Sequence, residues 1–188
     1  MAGQLKFNAP VAQLDRVTAY EAAGCWSDSS QAHFYMLKIE NFYMSEALKE
    51  AQKAFDEDEV PVGAVVVHGG KIIARGHNQI ERLKDPTAHA EIIAITSAAN
   101  YLGQKWLNEA SLYVTIEPCS MCAGAMVLAR IKNLYFGAAD PKTGACGSVI
   151  DIVNHKKLNH RIKVIKGIFE TECSSLLRDF FRKKRKNP

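Results

Sequence analysis

Two short motifs combine residue types that bind metal ions with one that moves protons. The first is His89-Ala90-Glu91, and the second is Cys119-Ser120-Met121-Cys122, directly after Pro118. Together they offer one imidazole, two thiols and one carboxylate. A structural zinc site is normally closed by four protein ligands, whereas a catalytic site has three and leaves the fourth position for water. The two motifs therefore favour an enzyme over a structural zinc protein.

Cys119 and Cys122 stand three positions apart at the start of a predicted helix. At this spacing two helical side chains share a face, so both sulfurs can reach one metal ion. Pro118 marks the helix start, where unpaired amides and the positive end of the helix dipole stabilise a thiolate over a thiol. The same placement is typical of a thioredoxin-like redox pair, so the cysteine motif alone leaves both interpretations open.

His89 and Glu91 shift the balance toward hydrolysis. Residues two positions apart do not face each other on a helix, so the pair is not expected to bind a metal from equivalent positions. If His89 is a ligand at a helix N-terminus, Glu91 can stand beside the open coordination position. Zinc acidifies water, and a nearby carboxylate can take the proton and deliver it to a leaving group. Either residue alone would be an ordinary helix cap or solvated side chain, and only the combination is specific.

The 188-residue chain is long enough for one well-buried α/β domain and too short for two of ordinary size. Its formal net charge of +4 permits a polyanionic partner without requiring one. The first residues lack the basic and apolar regions of a signal peptide, and five cysteines is an odd count, so a disulfide framework is not expected. No apolar run approaches the roughly 20 residues of a membrane span. We therefore expect a cytoplasmic protein with no membrane segment.

The hydrophobic pattern predicts helices and strands in alternation, which is typical of a three-layer α/β/α sandwich. Apolar residues at helical spacing predict a first helix at residues 44–55, and two β-rich runs at residues 62–67 and 71–74 predict an antiparallel hairpin that turns at Gly69-Gly70. A second helix is predicted to open after Asp85-Pro86-Thr87 and run through Asn100, followed by a buried strand at Ser111–Ile116 and a helix at about residues 119–131. The remaining elements are a strand near residues 134–136, a glycine-rich loop at residues 137–147 and a strand near residues 162–169. The last helix contains Leu176, Leu177, Phe180 and Phe181.

Residues 1–43 differ in character from the rest of the chain. Up to about residue 40 they are rich in Ala, Ser and Gln and show no sustained periodicity, so we expect an N-terminal extension that is either disordered or the product of a mis-assigned start codon. Residues 11–16 and 25–29 resemble the translated D-arm and T-arm of a tRNA gene. Under the second hypothesis Met36 or Met44 is the true initiator, and a natively expressed peptide from residues 8–33 would contradict it.

Longer strings around the motifs resemble a known enzyme family. His-Ala-Glu with Pro-Cys-x-x-Cys resembles the zinc-dependent nucleoside and nucleobase deaminases. DPTAHAE at residues 85–91, TIEPCSMCAGAM at residues 115–126 and FGAADPKTGA at residues 136–145 are similar to strings of the bacterial-type tRNA-specific adenosine deaminases. The resemblance covers residues 44–188. It implies a cytidine-deaminase-like sandwich with a central mixed sheet.

The same resemblance implies a function and a ligand set. The enzyme would be a homodimer that converts the wobble adenosine of a tRNA anticodon stem-loop to inosine. His89, Cys119 and Cys122 would hold one zinc ion per subunit, and Glu91 would shuttle protons between the attacking water, N1 of adenine and the leaving ammonia.

Four more residues are expected at the substrate, and three of them, Asn78, Asp140 and Lys142, rest on this resemblance. Asn78 would fix the flipped nucleoside, although Asn is also a common turn residue. Asp140 and Lys142 would meet the nucleotides that flank the target. Phe181 can stack on a splayed base beside the basic residues 182–186. By themselves, those cations would also fit a solvated helix end that complements the helix dipole.

Two alternative functions share some of these features. A deaminase of a free base or nucleoside, of the guanine or cytosine type, would have the same metal motifs but would not need a basic, aromatic C-terminal helix. A non-catalytic RNA-binding module with a structural zinc would need a fourth ligand and leaves Glu91 unexplained. Cys146, in the glycine-rich loop, would close the site if it reached the metal, whereas Cys173 is expected to be a small buried hydrophobe.

Overall fold

The structure is a computed structural model that describes residues 29–186, with side chains from residue 36 onward. A compact unit begins at Glu40, inside the first helix. In chain order the elements are α1 (Ser29–Asp56), β1 (Gly63–His68), β2 (Lys71–His77), α2 (Ile80–Leu83), α3 (Ala90–Leu102), β3 (Ser111–Ile116), α4 (Ser120–Ala129), β4 (Asn133–Ala138), β5 (Lys163–Lys166) and α5 (Glu170–Lys186).

The five strands form one mixed sheet in the order β2-β1-β3-β4-β5. β1 pairs antiparallel with β2 and with β3, whereas β3, β4 and β5 run parallel. The hairpin between β1 and β2 turns at Gly69 and Gly70, whose φ angles of 55° and 73° are ones that glycine adopts at little cost. The predicted hairpin and mixed sheet are confirmed.

Helices cover both faces of the sheet, as the predicted sandwich requires. On one face, alternate strand residues such as Val66, Val114 and Phe136 form the main core with the buried faces of α3 and α4. On the other face lie α5 and the part of α1 from Glu40 onward, which meet through Phe55 and Phe180 with ring centroids 5.8 Å apart. α3 lies so close to β2 that a side chain at Gly76 would collide with its backbone.

Several element bounds differ from the sequence-based expectation, among them the start of α1 and the end of β5. α1 begins at Ser29 rather than near residue 44, because residues 29–43 contain good helix formers and no Gly or Pro, and a helix can extend without an amphipathic pattern. Residues 1–28 lie outside the described residues, so the interpretation of residues 1–43 as an extension stays a prediction. β5 ends at Lys166 rather than near Phe169, because Gly167 and Phe169 take positive φ angles in the turn into α5. Within the described residues, no helix is both long and apolar enough to cross a membrane.

Candidate active site

The N-termini of two helices carry the metal-binding motifs. β3 ends at Ile116, and the chain then passes through Glu117 and Pro118 to Cys119, the N-cap residue of α4. His89 is the N-cap residue of α3. Both caps have extended backbone angles, and neither side chain caps its own helix. Because α3 and α4 pack together on the sheet, these two side chains are free to face each other.

His89, Cys119 and Cys122 bring three donor atoms to one point. Nδ1 of His89 lies 3.8 Å from Sγ of Cys119 and 3.5 Å from Sγ of Cys122. All three atoms lie within 4.8 Å of one another. Tetrahedral zinc with bonds of about 2.0 to 2.3 Å places its ligands at separations of this size. The structure thus contains a His-Cys-Cys group that could hold a metal ion.

The protein already favours a charged sulfur at this point. Hydrogen bonds from Cys122 and from His89 lower the pKa of Cys119 to about 3, against the opposing effect of burial. The pKa of Cys122 is raised because its thiol donates to Cys119 and is itself buried. The pKa of His89 is raised by its hydrogen bond with Cys119. The two cysteines therefore share one proton, which a metal ion bound by both sulfurs would displace.

Glu91 lies in the first turn of α3 and is only 3% exposed. Its Oε2 atom is the one buried side-chain oxygen or nitrogen of the described residues that has no hydrogen-bond partner. Burial raises the pKa of this carboxyl, and a hydrogen bond from its own backbone N–H and the charge of the nearby His89 partly offset that rise. An unpartnered buried polar atom costs about 1–3 kcal/mol, so such atoms persist mainly where a ligand or water completes them. Glu91 is thus placed to receive a polar ligand.

Cys146 does not belong to the donor group among the described residues. Its Sγ points to the carbonyl oxygen of Pro118, 3.9 Å away, and burial raises the pKa of its thiol. With one nitrogen, two sulfurs and an unpartnered carboxylate oxygen beside them, the site fits a three-ligand catalytic metal centre better than a closed structural one. Cys173 is buried against Gly137, as expected of a small hydrophobe.

Asn78 lies just after β2 and is buried, unlike an ordinary surface turn residue. Its backbone N–H donates to Val62, and its side-chain Nδ2 donates to Oε2 of Glu59 at 3.2 Å. The next backbone N–H, of Gln79, donates to the carbonyl oxygen of Ala88. The loop that carries Asn78 therefore lies beside the segment that leads into His89.

Glu59 is a buried residue of this site that the sequence did not reveal. Besides Asn78, it accepts a hydrogen bond from the backbone N–H of Arg82 at 2.7 Å. In the sequence it is the last acid of an acidic run that ends the first helix. Nothing in that run distinguishes a buried carboxylate from its solvated neighbours, because the partners come from a different loop.

Glu117 is a second buried carboxylate that sequence reasoning missed. It accepts hydrogen bonds from the backbone N–H groups of Asp140, Cys146 and Ser148 and from the Ser148 hydroxyl. Burial alone would raise its pKa, but these hydrogen bonds outweigh burial, and the pKa is lowered. The only sequence feature that could have pointed to a role for Glu117 is its position between β3 and the metal-binding motif.

The side chain of Asp140 is engaged within its own loop. Its carboxylate accepts hydrogen bonds from the backbone N–H groups of Lys142 and Thr143, at 2.8 and 3.2 Å, and from the Thr143 hydroxyl. This is the turn chemistry expected of an Asp followed by Pro and Thr-Gly. Lys142, by contrast, is exposed.

Phe181 borders two hollows. One, of about 540 Å³, is lined by Lys142, Leu177, Arg178, Phe181, Arg182, Lys184 and Arg185. The other, of about 800 Å³, is lined by Glu57, Asp58, Glu59, Val60, Asn78, Ile80, Glu81, Arg82, Phe180, Phe181 and Lys184. Phe181 is 44% exposed, whereas Phe180 is buried. The structure thus groups Asn78, Lys142 and Phe181 around adjoining hollows, and none of the described residues that line them belongs to the His-Cys-Cys group.

Comparison with known proteins agrees with this geometry. A model of the MafB19-like deaminase family matches residues 40–185. The tRNA-specific adenosine deaminase of Bacillus subtilis (strain 168) is 48% identical over 147 residues, which cover 78% of this chain and 91% of the relative. That of Aquifex aeolicus (strain VF5) is 49% identical over 146 residues, covering 78% and 96%. A structure from a study of A-to-I editing by tRNA:A34 deaminases at the wobble position of transfer RNA matches with 47% identity and a TM-score of 0.70, over 72% of this chain and 99% of that one. The chain therefore belongs to the tRNA-specific adenosine deaminase family.

Proposed function

We propose that this protein hydrolyses the 6-amino group of the wobble adenosine in a tRNA anticodon, which gives inosine and ammonia. The observation that carries this proposal is the buried, unpartnered Oε2 of Glu91 beside the His-Cys-Cys group. A closed structural site has no use for such an atom, whereas hydrolytic deamination needs a proton carrier there. The names of the similar proteins supply the substrate.

The donor set fits zinc. We propose that Nδ1 of His89 and the sulfurs of Cys119 and Cys122 would hold one ion per subunit. When bound, zinc would supply a Lewis acid that lowers the pKa of a water molecule at the open position.

Glu91 is proposed as the proton carrier. In the net reaction, a bond forms between water oxygen and C6 of adenine, and the bond from C6 to the amino nitrogen breaks. Glu91 would accept a proton from the water and donate it to N1 of the ring, then accept the second water proton from the oxygen now bonded to C6 and donate it to the departing nitrogen, which leaves as ammonia. Its unpartnered Oε2 can make these transfers without first giving up a hydrogen bond within the protein.

The surface around Phe181 supports an RNA substrate rather than a free base. It combines an exposed aromatic ring with Arg178, Arg182, Arg185 and Lys142 around one hollow. Exposed rings can stack on splayed bases, and cations can neutralise phosphates, whereas a small-molecule deaminase needs neither. We propose that this surface binds the anticodon stem-loop, with Asn78 on the side that receives the target nucleoside.

A homodimer is proposed from the outer face of α4. Leu128 is 76% exposed, and Met121, Gly124 and Ala125 precede it at helical spacing along the same side. This apolar face belongs to the helix that bears Cys122, and it is unusual for the surface of a monomer. In a two-fold symmetric dimer, the apolar face of α4 in one copy would cover the same face in the other copy.

The proposed function can be tested by incubating purified protein with total tRNA and, separately, with free nucleosides and bases. Sequencing reads inosine at wobble positions, and a coupled assay reads ammonia. We expect inosine in tRNA and no ammonia from adenosine, guanine or cytosine. Ammonia from a free base without inosine in tRNA would instead support a small-molecule deaminase.

A further inference from the structure

Glu117 is a buried carboxylate that the proposed chemistry does not use. It lies between the end of β3 and the metal-binding motif. All four hydrogen bonds that its carboxylate accepts come from one distant loop, residues 140–148. Oε1 accepts the backbone N–H groups of Cys146 and Ser148, both at 3.0 Å. Oε2 accepts the backbone N–H of Asp140 at 3.1 Å and the hydroxyl of Ser148.

The same loop is attached to the cysteine turn by backbone contacts. The N–H of Ala145 donates to Pro118 at 2.9 Å, and Cys119 and Gly144 form an isolated β-bridge. Glu117 therefore connects two parts of the site. One is the turn that presents the cysteines, and the other is the loop that presents Lys142.

We propose that Glu117 is a positioning residue that sets the affinity for RNA by holding loop 140–148 in its binding conformation. This inference rests on the proposed function, in which Lys142 meets nucleotides beside the target. Among the described residues, Glu117 is not part of the donor group. It acts through the backbone of Asp140, two residues before Lys142.

The hydrogen-bond pattern explains why a carboxylate is required. Both oxygens of Glu117 must accept, since three of the four donors are backbone N–H groups that cannot reverse their role. A glutamine has only one accepting oxygen. Its least costly arrangement keeps Oε1 toward Cys146 and Ser148, lets the Ser148 hydroxyl turn to accept, and leaves the N–H of Asp140 facing a second donor. Glu117→Gln should therefore loosen the loop at its Asp140 end while leaving the cysteine end in place.

Gly144 gives an independent reason to regard this contact as close-fitting. A Cβ atom there would lie 2.5 Å from Cδ and Oε2 of Glu117 and 2.5 Å from the carbonyl oxygen of Asp140. An alanine would therefore push the loop away from the carboxylate. Gly144→Ala should weaken RNA binding in the same direction as Glu117→Gln, without any change at Glu117.

The test compares Glu117→Gln with Glu109→Gln, the same chemical change at an exposed carboxylate that precedes β3 and pairs with Lys132. Measured quantities are zinc content, kcat and KM on an anticodon stem-loop, and the Kd of a fluorescent stem-loop. For Glu117→Gln we expect wild-type zinc, kcat within about threefold, and KM and Kd raised about 10-fold, the effect of one buried hydrogen bond lost. Glu109→Gln should match the wild type.

A double-mutant cycle with Lys142→Ala makes the test specific. If Glu117 acts through the loop, Lys142→Ala should weaken binding in the wild type and add less than about threefold in the Glu117→Gln background. Unchanged Kd, fully additive effects, or loss of zinc with a fall in kcat would each overturn the inference. A wild type that binds the stem-loop without deaminating it would refute the proposed function alone, since Kd still reports on Glu117. A wild type that does not bind it would refute both.

Discussion

Replacing Glu91 by glutamine should separate catalysis from folding and metal binding. The side chain is 3% exposed and its Oε2 has no partner, so the native carboxylate is buried at a cost. Glutamine has nearly the same shape and no charge. An unpartnered buried polar atom costs about 1–3 kcal/mol, and more when charged; glutamine keeps the polar atom and removes only the extra cost of the charge, so the change should not destabilise the fold. In a domain of this size, each kcal/mol is worth about 2–4 °C in Tm.

The catalytic effect should be much larger. General acid–base catalysis contributes about 10²- to 10⁴-fold, and glutamine cannot carry the proton, so single-turnover conversion of an anticodon stem-loop should fall by at least about 100-fold. Zinc content and Kd for the stem-loop should stay within about threefold of wild type, and Glu109→Gln controls for the loss of a carboxylate. Activity within tenfold of wild type in a preparation free of host deaminase would refute the role of Glu91. Loss of zinc would show that Glu91 supports the metal site instead.

Four further outcomes follow from the structure. Cys119→Ala should lose the bound metal and lower Tm by several degrees, which metal analysis and a thermal melt would show, whereas full zinc occupancy would contradict the ligand assignment. Phe181→Ala should raise KM for the stem-loop about 10-fold while zinc content stays unchanged, because the ring is 44% exposed and a stacked base is worth about 1–3 kcal/mol. Leu128→Arg should give a monomer in sedimentation velocity, and an unchanged dimer would place the interface elsewhere. Glu46, whose pKa is lowered because hydrogen bonds with Lys49 and Arg75 outweigh burial, stabilises the fold above its ordinary pKa of 4.5 and loses that contribution as pH falls through the lowered value. Glu46→Gln should therefore lose less Tm than wild type between pH 6 and 3, and parallel pH profiles would contradict this.

Local sequence patterns determined the parts of this protein whose geometry is local. The three-residue spacing of Cys119 and Cys122 follows from one helical turn, and the glycines at Gly69 and Gly70 follow from the φ angles of a tight turn. Strand alternation likewise indicated the sandwich. The start of α1 was less predictable, since residues without an amphipathic pattern can still be helical.

The tertiary structure decided which distant groups share the site. The sequence motifs and their family resemblance named His89 as a partner of the cysteines, but only the packing of α3 against α4 sets its Nδ1 3.5 Å from Sγ of Cys122. The tertiary structure also leaves Cys146 outside the donor group of the described residues, and buries Glu59 and Glu117. Glu117 accepts hydrogen bonds from a loop more than 20 residues away, and no local pattern records such a contact. The sequence alone does not show whether a glutamate side chain will be solvated or buried. Burial of the carboxylate is tolerated only because the folded chain supplies hydrogen-bond donors in place of the water it removes.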